Sequence, residues 1–182
     1  MNKSTSAAAE VYDILSRGTG TEGTAGGDAP VLDPASLQGL SHSEVAERIA
    51  EAVNPGDVSL DDAGVREAVA EAISSVLNEN ENADVTNLPA ELVEESYIRT
   101  LSLSAFKILV ADIGASVQRA AHGSATLAND RLKEISDFVR EAYRAQYATL
   151  KGSGVNISRR AAAKIARDVT SQVMNIFESY LE

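Results

Sequence analysis

Apolar residues recur every three or four positions along most of this chain, and that spacing predicts helices separated by proline, glycine and asparagine. Val45, Ile49 and Val53 fall on one helical face; Ser41 and Glu44 frame a capping box ahead of them, and Asn54-Pro55-Gly56 stops the run. Val65, Val69, Ile73 and Val76 form the next stripe, opened by Asp61 or Asp62 and closed by Asn78 as a left-handed terminator. Pro89 at a first helical position opens a third helix through Leu92, Leu101, Ile108, Leu109 and Val117 to His122, where Gly123 ends it; Ser102 to Ser104 is the expected place for a bend. Leu132, Ile135, Val139, Ala142, Gln146 and Leu150 mark a fourth helix closed by Lys151-Gly152. Ser158 caps a fifth, with Ile165, Val169, Val173, Ile176 and Tyr180 as its stripe.

Two stretches depart from the amphipathic rule. From Ala105 to Ile113 the sequence is apolar almost all round, which predicts a helix surrounded by other helices; a strand would have no second strand to pair with. At the other extreme, five of the ten residues from Gly18 to Gly27 are glycine, and ordering such a stretch costs more entropy than its few apolar atoms return. Ahead of it, Ser6 can cap a short helix with Val11, Ile14 and Leu15 on one face. A helix that short is marginal alone, so it either frays or docks on a groove of this chain or of a partner. The expected fold is all-α: a bundle of about five helices over residues 32–182, preceded by a flexible arm over residues 1–31 that carries Gly18, Gly20, Gly23, Gly26 and Gly27.

The 182 residues suffice for one domain with its own core. The absence of cysteine excludes thiolate chemistry, Cys-type zinc sites and iron–sulfur clusters, and His42 and His122 are too few for a histidine cage, so neither metal nor cofactor is expected. No apolar run approaches the roughly 20 residues that span a bilayer, and the start lacks an apolar leader core, which makes the cytoplasm the default compartment. Charge is more telling. The formal net charge is -11, and Met1 to Asp130 holds 21 acidic residues against 7 basic, whereas Arg131 to Glu182 holds 6 against 9.

Candidate chemistry is sparse. Gly18-Thr-Gly20-Thr-Glu-Gly23 has the letters of a dinucleotide fingerprint but neither the strand before it nor the helix after it. Asp112 sits in the most apolar stretch, where a carboxylate must be paired, hydrogen-bonded or protonated; a structural partner such as Arg119 is favoured over an acid–base role, because no histidine or lysine nucleophile accompanies it. Gly114 is placed to allow close helix packing. Phe138, Tyr143 and Tyr147 read as core and rim rather than as a platform for bases. Arg160, Lys164 and Arg167 share one face of the last helix, with Arg159 beside them; they either pair with acidic helices of the same molecule or dock an acidic partner. Since the chain as a whole is acidic, protein is favoured over nucleic acid as that partner.

From about Leu37 to Tyr180 the chain resembles the C-terminal helical region of QatB, the accessory protein family of the Qat anti-phage defence operon. The residues that carry the resemblance are Leu37-Gln-Gly-Leu40, Asn54-Pro55-Gly56 followed by Asp61 and Arg66-Glu-Ala-Val69, and Val110-Ala-Asp-Ile-Gly114. It continues through Leu132-Lys-Glu-Ile-Ser-Asp-Phe-Val139 to Val173-Met-Asn-Ile-Phe177. The resemblance implies a non-enzymatic partner of an ATPase, a QueC-like enzyme and a TatD-like nuclease. It also implies a glycine-rich segment near the terminus on which the QueC-like enzyme acts. Here the start is Met1-Asn2, so a terminal glycine requires cleavage that exposes Gly20, Gly23, Gly26 or Gly27.

The expectation is therefore a cytoplasmic adaptor that binds partner proteins through its bundle and presents its arm for docking or modification. A homodimer is allowed if the apolar helix stays partly uncovered. The rival readings are a nucleic-acid-associated protein using Arg159, Arg160, Lys164 and Arg167, an acidic mimic of DNA, and an enzyme built around Asp112.

Overall fold

The computed structural model describes residues 2–17, 32–54, 60–153, and 164, 165, 168, 169, 171, 172 and 175. Among them there are only helices and connections: α1 Asn2–Arg17, a 3₁₀ turn Pro34–Leu37, α2 His42–Val53, α3 Leu60–Glu79, α4 Ala90–Ala120 and α5 Ala125–Gly152. The described positions from 164 to 175 are helical as well. The all-α expectation holds. So does the capping box of α2, where Ser41 Oγ accepts from the Glu44 amide and Glu44 accepts from the Ser41 amide at 2.8 Å.

Leu60–Glu79 runs past Asn78, which is an exposed helical residue with its amide on Ser74 rather than a terminator. The chain turns only afterwards. Asn80 donates to the Val76 carbonyl and Asp84 accepts from the Thr86 amide, while Leu88 enters the core ahead of α4. At the end of α4, His122 and Gly123 both take positive φ, 48° and 79°, so the chain reverses there into Ser124, whose hydroxyl caps α5.

Two connected cores hold the helices together. One gathers Tyr97, Ile98, Leu101, Ala105, Leu109 and Ile113 of α4 with Ile135, Val139, Tyr143 and Tyr147 of α5, and Ile165 and Val169 pack into it. The other lies between α2 and α3, around Val45, Ile49, Val69, Ile73 and Leu77, with Leu37, Leu88 and Val93.

Helix α1 contributes to both: Ala8 and Ala9 to the first, Val11, Ile14 and Leu15 to the second. It is longer than the short helix after Ser6 that the sequence suggests, and of the two alternatives for it, docking on this chain's own groove is the one realised. Val11 and Ala8 are fully buried, and Tyr12 meets the Tyr97 ring edge-on at 5.9 Å. Residues 18–31, with Gly18, Gly20, Gly23, Gly26 and Gly27, lie outside the described residues.

The α4 helix is not the fully enclosed rod that its composition suggests. Leu109 and Ile113 are buried against α5, but Ile108 is 36% exposed and Ala111 is exposed too. The helix bends by 65° between Ala90–Ala111 and Ile113–Arg119, beyond the Ser102–Ser104 stretch where a bend was expected. Among the described residues a Cβ at Gly114 meets only Val110 of the same helix, at 3.5 Å, so no other described helix approaches it closely. No single described helix is long and apolar enough to cross a membrane.

Candidate functional site

Building outward from α4, the polar side chains sort into those the fold consumes and those it leaves at the surface. Ser96 and Thr100, both buried, donate to carbonyls of their own helix, Leu92 and Ser96, each at 2.8 Å. That local bonding lets α4 carry hydroxyls into the core without partners from other helices.

The charged residues bridge helices. Arg99 grips both carboxylate oxygens of Glu79 on α3, at 2.8 and 2.6 Å, and donates through Nε to Glu95 at 2.7 Å. Glu95 also receives Arg144 of α5 at 3.0 Å, and Arg144 in turn holds Glu141. Lys107 reaches Glu67 of α3 at 2.7 Å and Glu71 at 3.6 Å, and Lys151 of α5 reaches Glu94 at 2.6 Å. Together these pairs form a seam along both flanks of α4.

Electrostatics follow this geometry. The Arg99 hydrogen bonds hold the Glu79 carboxyl below the usual carboxylate range. Partial burial works against ionisation of Glu95, but hydrogen bonds from Arg99 and Arg144 outweigh it, and that carboxyl is lowered as well. The Lys107 hydrogen bond lowers Glu67, and Glu94 raises Lys151. Tyr97 and Tyr147, 5.8 Å apart, are pushed up mainly by burial and stay neutral phenols. No part of this seam is arranged as a nucleophile with its base.

Between α2 and α3, and bordering the Lys107–Glu67 pair, is an open groove of about 460 Å³. Ala50, Ala63 and Ala70 supply its apolar lining, and Glu47 and Glu51 of α2 and Glu67 of α3 its acidic lining. Arg66 also lines it and donates to the Asn54 carbonyl at 3.1 Å. Glu47 and Glu51 are one helical turn apart and exposed, and no ion pair among the described residues holds either of them. Sequence reading missed this groove because the alanines of α2 and α3 look like ordinary helix filler. Only the i, i+4 carboxylates beside Ala50 could have signalled it.

The residues singled out from sequence fare unevenly. The Asp112 side chain lies outside the described residues, and Arg119, its suggested partner, donates to Ser116 at 3.0 Å. Arg159, Arg160 and Arg167 also lie outside; Lys164 is helical and exposed beside buried Ile165. The aromatic trio separates, with Tyr143 and Tyr147 in the core and Phe138 43% exposed. Among the described residues no group of three or more histidine or carboxylate side chains is placed to hold a metal ion.

Comparison with known proteins gives one finding about family. The model for QatB, the Qat anti-phage system associated protein, matches residues 1–177. No curated protein and no solved structure matches the chain.

Proposed function

The chain belongs to the QatB family, which makes it a component of an anti-phage defence system, and we propose that within it the protein is a non-enzymatic cytoplasmic adaptor. The observation that supports this reading is the division of charge around α3. Carboxylates facing α4 are neutralised by Arg99 and Lys107, which serves rigidity, whereas Glu47 and Glu51 line an open groove, which serves contact with another protein. The partners implied are the other products of the operon: the ATPase, the QueC-like enzyme and the TatD-like nuclease.

The role of docking or modification peptide belongs to Gly18–Gly27 rather than to α1, because α1 is built into both cores. Co-expression with the three neighbours tests the adaptor reading. Co-purification of at least one of them in a defined stoichiometry is expected; a chain that captures none contradicts it. Intact-mass measurement of the protein from its native host tests the peptide role. Cleavage or a covalent adduct mapping to residues 18–27 is expected, and an unaltered full-length mass during active defence contradicts it.

A further inference from the structure

We infer that the α2–α3 groove takes a lysine- or arginine-bearing helix of a partner protein; this rests on the adaptor reading and names the kind of segment the adaptor binds. Three features of the groove converge on that occupant.

Its apolar lining is Ala50, Ala63 and Ala70, so among the described residues no bulky apolar side chain fills it, and the aliphatic stems of lysine or arginine can lie along methyl groups. Glu47 and Glu51 are then placed to meet the cationic heads. Both project from one turn of α2, and neither is spoken for by an internal cation among the described residues. Glu67, across the groove, is neutralised by Lys107, and Arg66 in the lining is turned to the Asn54 carbonyl, so the acidic field is that of Glu47 and Glu51.

The same field disfavours an acidic or phosphate-bearing ligand, because like charges brought together across an interface are repelled. A helix fits better than an extended strand. The groove runs between two helices whose backbone groups are already used within those helices, so it offers no edge for strand addition.

The test uses the full chain and two synthetic 16-residue helical peptides, one of alanine and lysine, the other of alanine and glutamate, with binding followed by fluorescence anisotropy at physiological salt. The alanine–lysine peptide is expected to bind and its glutamate counterpart not to. The double variant Glu47→Gln, Glu51→Gln should weaken binding about tenfold or more, whereas Glu81→Gln with Glu134→Gln, which removes the same charge from exposed positions outside the groove, should change it less than about twofold. Ala63→Trp, at an exposed position in the lining, should weaken it as well.

Equal weakening by the two double variants would reduce the effect to diffuse attraction and overturn the inference. So would equal binding of the glutamate peptide, or no binding at all. Co-expression with the operon neighbours separates this inference from the one it rests on. If the unaltered chain and the Glu47→Gln, Glu51→Gln variant capture neighbours equally well, the groove is wrong and the adaptor stands. If the unaltered chain captures none, the adaptor reading fails whatever the peptides do.

Discussion

The helices either side of the α2–α3 groove carry the same residue type to opposite ends. Toward α4, glutamates meet Arg99 and Lys107 and become part of a seam that ties α3, α4 and α5 into one body. On α2, Glu47 and Glu51 meet alanine and solvent. A net charge of -11 thus describes two different things: acidity that the fold has already spent on cohesion, and acidity that remains for another molecule. Exposed ion pairs contribute little individually, but Arg99 is only 13% exposed and joins two carboxylates from two helices, so this part of the seam is the part that matters for stability.

The comparison can be broken most forcefully from within the cohesive side. Val11→Asp puts a carboxylate at a fully buried position of α1, and a loss of about 4 kcal/mol or more is expected in chemical denaturation. A change below about 1 kcal/mol would mean that α1 is an arm after all. Next comes a contrast within α4: Leu109→Ala should cost about 3 kcal/mol, while Ile108→Ala, one residue away and 36% exposed, should cost about 1 kcal/mol. Arg99→Ala should cost about 2 kcal/mol, less than the roughly 3–5 kcal/mol of a fully buried pair because Glu79 is 59% exposed and screened by solvent.

Acid sharpens the same point. Glu79 and Glu95 are held below their ordinary value of 4.5, so the stability they contribute is present above that value and is lost as pH falls through their lower folded values. An acid-unfolding curve should therefore drop below about pH 4.5, and Arg99→Ala should flatten that drop. The smallest effect on stability, within about 0.5 kcal/mol, is expected for Glu47→Gln with Glu51→Gln, which touches only the open side.

Much of this architecture is legible in the sequence. The stripes Val45/Ile49/Val53 and Val69/Ile73/Val76 are buried as their spacing requires, and Ser41 with Glu44 forms the capping box that their letters announce. What period alone could not show is where a helix points its second-best face. Asn78 looks like a stop, but tertiary packing of Leu77 carries α3 one residue further. Ala105 to Ile113 looks enclosed, yet among the described residues α1, α3 and α5 with the buried Ile165 and Val169 gather along α4 and leave Ile108 36% exposed.

The misjudged strength of α1 has a similar origin. Its propensity describes an isolated helix, while its stability comes from Ala8 and Ala9 packing with Tyr97 and Leu101 of α4, about ninety positions away, and from Ala7, Val11, Ile14 and Leu15 in the second core. The groove was hidden for the converse reason, since alanine gives no signal of whether another chain segment covers it.

The claim that cohesion and contact are carried by separate acidic groups is tested most directly by measuring two quantities, thermal midpoint and capture of co-expressed operon products, on two variants. Arg99→Ala should lose several degrees and, below its midpoint, still capture what the unaltered chain captures; Glu47→Gln with Glu51→Gln should keep its midpoint and lose capture. If the two quantities fall together in both variants, the division of labour across α3 does not exist.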